Sequence, residues 1–140
     1  MSGFLAIDAS FTFRLLLPGP EQPLCRELMA RWRAEGLALC APTLWLYDLT
    51  SALAKAIHFG VLTAEEAGRA LGMAQALEVC LMPPDEAQAR SALEWTLRLK
   101  RAAAYDSFYL ALAGSLGCEL WTADRRLANA AGLPWVRVVG

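Results

Sequence analysis

The chain lacks the side-chain chemistry on which several enzyme classes depend. It has one histidine, His58, and its four cysteines stand apart without a CxxC pair, at Cys25, Cys40, Cys80 and Cys118. The usual nitrogen and sulfur ligands of zinc are therefore scarce, and a ribonuclease that uses two histidines as acid and base is excluded. The sequence also has no GxGxxG, no glycine-rich phosphate loop and no GxSxG motif, which argues against dinucleotide-binding and hydrolase chemistry.

Long apolar runs and an excess of positive charge are also absent. No stretch approaches the roughly 20 apolar residues that span a bilayer, and no basic region precedes an apolar stretch at the N-terminus. We therefore expect no membrane partner and a cytoplasmic location. The net charge is −1, so no overall basic field indicates nucleic acid, although a local patch can be sufficient. The cysteines lie in apolar segments, and we expect buried, reduced thiols.

The apolar segments and the breakers between them predict one α/β domain over residues 1–140. The chain is 56% hydrophobic and 19% charged, which is ample for a buried core. Short apolar runs predict strands at 4–7, 37–41, 78–82, 118–122 and 135–139. Helical spacing and caps predict helices at 21–35, 44–59, 63–77, 85–100, 106–117 and 125–131. This order predicts a three-layer α/β/α sandwich with a mostly parallel sheet of about five strands.

Some individual residues have predicted places within these elements. Thr43 is a plausible N-cap, and Thr63 with Glu66 forms a capping box. Leu93 and Leu97 are expected to face the core. Trp32, Trp45 and Trp95 are most simply core residues as well, with the edge of the site as the alternative for Trp45, which stands one helical turn before Asp48.

Four aspartates are predicted to meet at one edge of the sheet. Asp8 ends the first strand, Asp124 follows a later strand, Asp106 begins a helix and Asp48 lies in the second turn of another. The C-terminal ends of parallel strands share one edge, where α/β proteins bind ligands. Simpler interpretations remain open, because Asp8 could serve only as a turn or cap residue and Asp48 could be solvated or pair with Lys55.

Such a group of carboxylates indicates a cation. Unpaired carboxylates repel, so at least one pKa rises or the group binds a positive ion. Oxygen ligands alone suit Mg²⁺ or Mn²⁺. A site of this kind points to phosphoryl transfer or phosphodiester hydrolysis, in which the metal activates water and neutralises the phosphate.

Four sequence blocks carry a resemblance to a known family. They are IDAS at 7–10, PTLWLYDLTSAL at 42–53, YDSFYLALA at 105–113 and LWTADRRL at 120–127. In this order they resemble the PIN-domain endoribonucleases, of the type found as toxins in bacterial VapBC toxin–antitoxin pairs. The resemblance implies Mg²⁺- or Mn²⁺-dependent RNA cleavage by water activated in the acidic cluster. It also implies a homodimer and an antitoxin whose segment docks in an apolar groove between helices.

The resemblance also implies roles for particular residues. It assigns metal ligation to Asp8, Asp106 and Asp124, with Asp48 beside them as a fourth catalytic acid. Ser10 and Thr122 would be hydroxyls that hold the carboxylates in place. One position departs from the family, because Asp48 stands where a glutamate is usual and is shorter by one methylene, about 1.5 Å of reach.

Contact with RNA would come from basic residues near these acids. The candidates for the phosphate backbone are Arg14, Arg98, Lys100, Arg101, Arg125 and Arg126. Each taken singly could instead belong to a solvated helix face. Single-stranded loops are the expected RNA targets, because their bases can be splayed and stacked.

Two other functions are alternatives to this one. A phospho-acceptor regulatory domain is also a small α/β sandwich, but it needs adjacent acids after the first strand and a lysine after a late strand. Here Ala9 follows Asp8, and the late strand supplies Thr122 and Asp124 without a lysine. The other alternative is a degenerate PIN domain that acts as a binding module without catalysis, with Asp48 as the sign of decay.

Overall fold

A computed structural model describes residues 3–140 and contains a five-stranded, wholly parallel sheet. The strands are β1 (Phe4–Ile7), β2 (Ala38–Pro42), β3 (Cys80–Met82), β4 (Leu120–Thr122) and β5 (Val136–Val138). Their order across the sheet is β3-β2-β1-β4-β5. The three central strands are short, largely buried apolar runs, as expected where helices cover both faces of a parallel sheet. The predicted fold class is confirmed.

In the described part of the chain, seven helices enclose the sheet in two layers. They are α1 (Ala9–Leu16), α2 (Gln22–Ala34), α3 (Leu44–His58), α4 (Ala64–Ala76), α5 (Glu86–Leu99), α6 (Tyr105–Leu116) and α7 (Arg125–Ala131). Helix α1 packs against α2, α3 and α4, whereas α5 packs on α6, which lies over the central strands. None of the helices within residues 3–140 is long and apolar enough to cross a membrane.

Local capping explains where several helices begin and end. Thr63 and Glu66 form the predicted capping box of α4, and Asp85 caps α5. Helix α6 ends at Gly117, whose φ of +63° is a left-handed conformation that glycine adopts without steric cost. Thr43 occupies the predicted N-cap position of α3, but its backbone is already helical and its side chain accepts no capping hydrogen bond.

Helix α1 is the element that the apolar pattern did not predict. Its eight residues are too few for a helical stripe to repeat clearly. The residue that marks the start of α1 is its N-cap, Asp8, whose Oδ1 accepts a hydrogen bond of 2.9 Å from the Phe11 amide.

The inward prediction for two leucines of α5 is wrong. Leu93 is 57% exposed and Leu97 is 69% exposed. Small buried residues, Ala92 and Thr96, occupy the core-facing positions. The Thr96 hydroxyl and the Ser107 hydroxyl on α6 are hydrogen-bonded at 2.8 Å, so α5 and α6 pack through small side chains that leave the leucines outside.

Two further expectations have mixed outcomes. Cys25, Cys40 and Cys118 are buried free thiols as expected, but Cys80 is exposed because β3 is an edge strand. Trp45 is 3% exposed, and its indole N–H donates to the Thr12 hydroxyl at 2.9 Å. Its core interpretation is confirmed, and it does not line the aspartate cavity described below.

Candidate active site

The four predicted aspartates line one open cavity of about 290 Å³. Asp8 and Asp124 reach it from the ends of β1 and β4, which are neighbours in the sheet. Asp106 comes from the first turn of α6, and Asp48 from the second turn of α3. The convergence expected from parallel topology is therefore present. The cavity wall also includes Ser10, Ser51, Ala52, Lys55 and Tyr109.

A hydrogen-bonded group of hydroxyls fixes Asp8 and joins the two central strand ends. The Ser10 hydroxyl donates to Asp8 Oδ1 at 2.7 Å and accepts from the Ala123 amide at 2.9 Å. It also lies 3.1 Å from the Thr122 hydroxyl, which accepts from the Asp124 amide at 2.9 Å.

Asp48 is held from the opposite helix. The Tyr109 hydroxyl donates to Asp48 Oδ2 at 2.9 Å. Burial, chiefly, and the neighbouring Asp48 carboxylate raise the pKa of Tyr109, so it remains a protonated donor. Asp48 is half-buried and makes no ion pair with Lys55 among the described residues, which removes the surface-pair interpretation.

Asp106 and Asp124 have different partners. Arg101 Nη1 donates to Asp106 Oδ2 at 2.9 Å, across the turn between α5 and α6. Asp124 caps α7 by accepting from the Leu127 amide at 3.1 Å. Asp8 likewise caps α1, so two of the four acids also define where a helix begins.

Burial raises the pKa of three of these carboxyls. Desolvation raises the pKa of Asp8 to about 6, although hydrogen bonds from Thr122, Phe11 and Ser10 oppose it. Burial also raises the pKa of Asp106, against the Arg101 charge that lowers it.

Burial likewise raises the pKa of Asp48, with a lowering contribution from the Tyr109 hydrogen bond and a raising one from the charge of Asp106. Loss of contact with water is thus the main cause that raises the pKa of all three carboxyls.

The donor set fits a hard divalent cation. The four aspartates of the cavity offer carboxylate oxygens, the ligands that Mg²⁺ and Mn²⁺ prefer. Asp48, Asp106 and Asp124 each have one oxygen that accepts no protein hydrogen bond within residues 3–140. In this part of the chain, no three acidic, histidine or cysteine side chains lie in positions where they could hold a metal ion together. The carboxylates instead bind separate protein partners.

Only one of the six predicted RNA-contact residues reaches the acids. Arg101 pairs with Asp106, whereas the Arg98 guanidinium lies 4.5 Å from the Trp95 ring centre. Arg125 donates to the Gly140 carbonyl. Three others are exposed and do not line the aspartate cavity: Arg14, Lys100 and Arg126.

Sequence reasoning missed Tyr109, Lys55 and Tyr105 as residues of the site region. The signal for two of them was helical spacing. Tyr109 lies three residues after Asp106, and Lys55 lies two turns after Asp48, so each shares a helix face with a predicted acid. Tyr105 had no such signal, because its neighbourhood depends on how the turn before α6 folds.

The buried carboxyl of Asp8 predicts a pH-dependent stability. A folded-state pKa of about 6 against an ordinary value of 3.8 means that ionisation destabilises the fold, by about 3 kcal/mol at 1.36 kcal/mol per pH unit. This destabilisation is absent below pH 4, grows as the pH rises from 4 to 6 and is complete above pH 6. Asp8→Asn keeps an N-cap that cannot ionise.

In chelator, urea unfolding should therefore show Asp8→Asn gaining stability relative to the wild type between pH 4 and pH 7.5. Asp85→Asn, at the exposed cap of α5, controls for the amide substitution itself. A difference between Asp8→Asn and wild type that is flat with pH would contradict the assigned pKa.

Solved structures with the same fold span nearly the whole chain. Protein PAE2754 from Pyrobaculum aerophilum is 25% identical, with a TM-score of 0.67 over 97% of this chain and 83% of that one. The Mycobacterium tuberculosis toxin VapC20, which cleaves the sarcin–ricin loop, is 15% identical, with a TM-score of 0.70 over 97% and 99%. A chain of a toxin–antitoxin complex from Klebsiella pneumoniae is 17% identical, with a TM-score of 0.61 over 97% and 96%.

Comparison with curated protein sequences gave no match. The family comparison is decisive instead, because the model of the PIN domain matches residues 5–133. That range contains all four aspartates that line the cavity. By its sequence and its fold, this chain belongs to the PIN-domain family.

Proposed function

We propose that the protein is a Mg²⁺- or Mn²⁺-dependent endoribonuclease and the toxin of a toxin–antitoxin pair. The observation that carries the proposal is the single cavity that four aspartates line at the C-terminal edge of the sheet. Membership of the PIN-domain family supports it. The fold shared with a toxin that cleaves the sarcin–ricin loop is compatible with it.

In this proposal Asp8, Asp106 and Asp124 hold the cation, and Asp48 contacts it through water. A bound divalent ion would lower the pKa of a water molecule and neutralise charge on the scissile phosphate. Ser10 and Thr122 keep the carboxylates of the two strand ends in place through the bonds described above. The cation would also offset the mutual repulsion and burial of the acids, and so lower their raised pKa values.

Two basic side chains near the acids support the proposed contact with the RNA backbone. Arg101 is already at the acids, and Lys55 lines the same cavity. Both can offset the repulsion between a phosphodiester and the carboxylates. Because a base must be splayed for its backbone to enter such a cleft, we propose single-stranded RNA as the substrate.

We further propose a cytoplasmic homodimer with a protein antitoxin as partner. The free thiols, including exposed Cys80, suit a reducing compartment. An apolar groove of about 290 Å³ between α1, α2 and α4 contains Leu15, Met29 and Met73. Such a groove suits an amphipathic peptide segment, and the Klebsiella pneumoniae complex is a precedent for a toxin–antitoxin assembly on this fold.

The proposal predicts metal-dependent cutting of RNA. Purified protein, incubated with a labelled pool of mixed RNA, should cleave it with Mg²⁺ or Mn²⁺ and not with chelator. Asp106→Asn should reduce the rate by at least about 100-fold, because it removes a charged ligand. Asp85→Asn, on the exposed cap of α5, should cut like the wild type. No cutting by folded, antitoxin-free protein would favour the binding-module alternative.

The shorter side chain of Asp48, compared with glutamate, predicts a second effect. If Asp48 acts through water, Asp48→Glu should raise the cleavage rate by restoring direct reach, whereas Asp48→Ala should lower it about 10- to 100-fold. Tyr109→Phe removes only the hydroxyl that holds Asp48 and should give a smaller loss. Single-turnover rates at saturating Mn²⁺ measure all three. Full activity of Asp48→Ala would show that Asp48 has no catalytic role.

A further inference from the structure

A second open cavity adjoins the aspartate cavity and has a different lining. Its volume is about 390 Å³, and its wall consists of Asp48, Arg101, Ala103, Tyr105 and Asp106. It shares Asp48 and Asp106 with the first cavity, so these two acids form a wall common to both cavities. Its volume is within the range of about 300–1,000 Å³ of clefts that hold small organic groups. An aromatic ring and a guanidinium therefore stand immediately beside the carboxylates.

Tyr105 is a largely exposed aromatic side chain in this cavity wall. It is the first residue of α6 and is 66% exposed. By contrast Tyr109, one turn later, is 1% exposed and packs in the core. A tyrosine offers a large rigid face at a low cost in side-chain entropy, which makes an exposed one a suitable contact surface. Its position next to Asp106 places that face at the site.

Arg101 supplies the complementary charge. One of its nitrogens, Nη1, binds Asp106 Oδ2 at 2.9 Å, and the side chain is only 29% exposed. A guanidinium has five N–H donors in a planar fork, so this bond leaves donors for a second anion. Phosphate oxygens match that fork. A single nucleotide presents this pair of groups, a flat base and a phosphate.

We propose that the second cavity is a nucleobase subsite. In it the base of the nucleotide next to the scissile phosphate stacks on Tyr105, while Arg101 contacts the adjoining phosphate. The inference rests on the proposed ribonuclease function and deepens it. It identifies the substrate class as RNA with an unstacked, unpaired base at the cleavage site, because a base inside a duplex cannot reach the ring.

Binding without metal tests the stacking surface apart from catalysis. Fluorescence anisotropy of a labelled single-stranded RNA in chelator should show that Tyr105→Ala raises Kd by about 5- to 140-fold. This range is stacking of about 1–3 kcal/mol converted at 1.4 kcal/mol per tenfold. Tyr105→Trp should restore binding and Tyr105→Leu should not, because only an aromatic face stacks. Phe59→Ala is the matched control, since Phe59 is 75% exposed and lines neither cavity.

The two residues should differ in their response to salt. Arg101→Ala should reduce the slope of log Kd against log salt by about one, as the loss of one phosphate contact does. Tyr105→Ala should weaken binding at every salt concentration with the slope unchanged. Equal salt dependence in both variants would contradict the division of roles between ring and guanidinium.

Abasic substrates locate the base that stacks. After the cleavage position is mapped, an abasic residue is placed at each neighbouring nucleotide in turn, and cleavage with Mn²⁺ is measured. One position should slow the wild type about as much as Tyr105→Ala does. The same abasic residue should slow the Tyr105→Ala variant little further, because the two changes remove one interaction.

The outcomes separate this inference from the function on which it rests. If the wild type cuts RNA and Tyr105→Ala binds and cuts equally well, the subsite is wrong and the nuclease stands. If the wild type binds RNA through Tyr105 without cutting, the subsite holds as that of a binding module. If the wild type neither binds nor cuts RNA, both are overturned, and the exposed ring would then be tested for contact with a protein partner.

Discussion

The parallel pairing of β1 with β4 is the interaction on which the site depends. The Ala6 amide donates to the Glu119 carbonyl at 2.9 Å, and the Asp8 amide donates to the Trp121 carbonyl at 3.2 Å. These bonds bring two distant parts of the chain to one edge of the sheet, where Asp8 and Asp124 follow their strands. Ser10 continues the pairing beyond the last backbone bond by accepting from the Ala123 amide. Without this register the carboxylates would not share a cavity.

The acids of the site also serve the fold, and this is how their burial is tolerated. Asp8 and Asp124 cap helices, so each satisfies a backbone N–H that would otherwise lack a partner. Asp48 and Asp106 instead depend on side chains from α6 and the turn before it. Asp8 can therefore be a helix cap and also have the proposed metal role, because it caps α1 through one oxygen, Oδ1.

The sequence was sufficient for the sheet and for the convergence of the acids, because both follow from apolar strands, breakers and right-handed parallel crossovers. It did not predict the features that depend on packing between distant elements. Leu93 and Leu97 have helical spacing for burial, yet α5 and α6 meet through Ala92 and Thr96 instead. The place of Tyr105 likewise depends on a turn whose path no local pattern specifies.

The central claim, that the four aspartates form one cation site, is tested most directly by equilibrium binding of Mn²⁺. Loss of the free-ion signal in electron paramagnetic resonance would give Kd for the wild type and for Asp106→Asn and Asp85→Asn. The account predicts that Asp106→Asn weakens binding by at least about tenfold, and that Asp85→Asn, at an exposed helix cap, does not. Equal binding of Mn²⁺ by the wild type and Asp106→Asn, or no binding by the wild type, would contradict it.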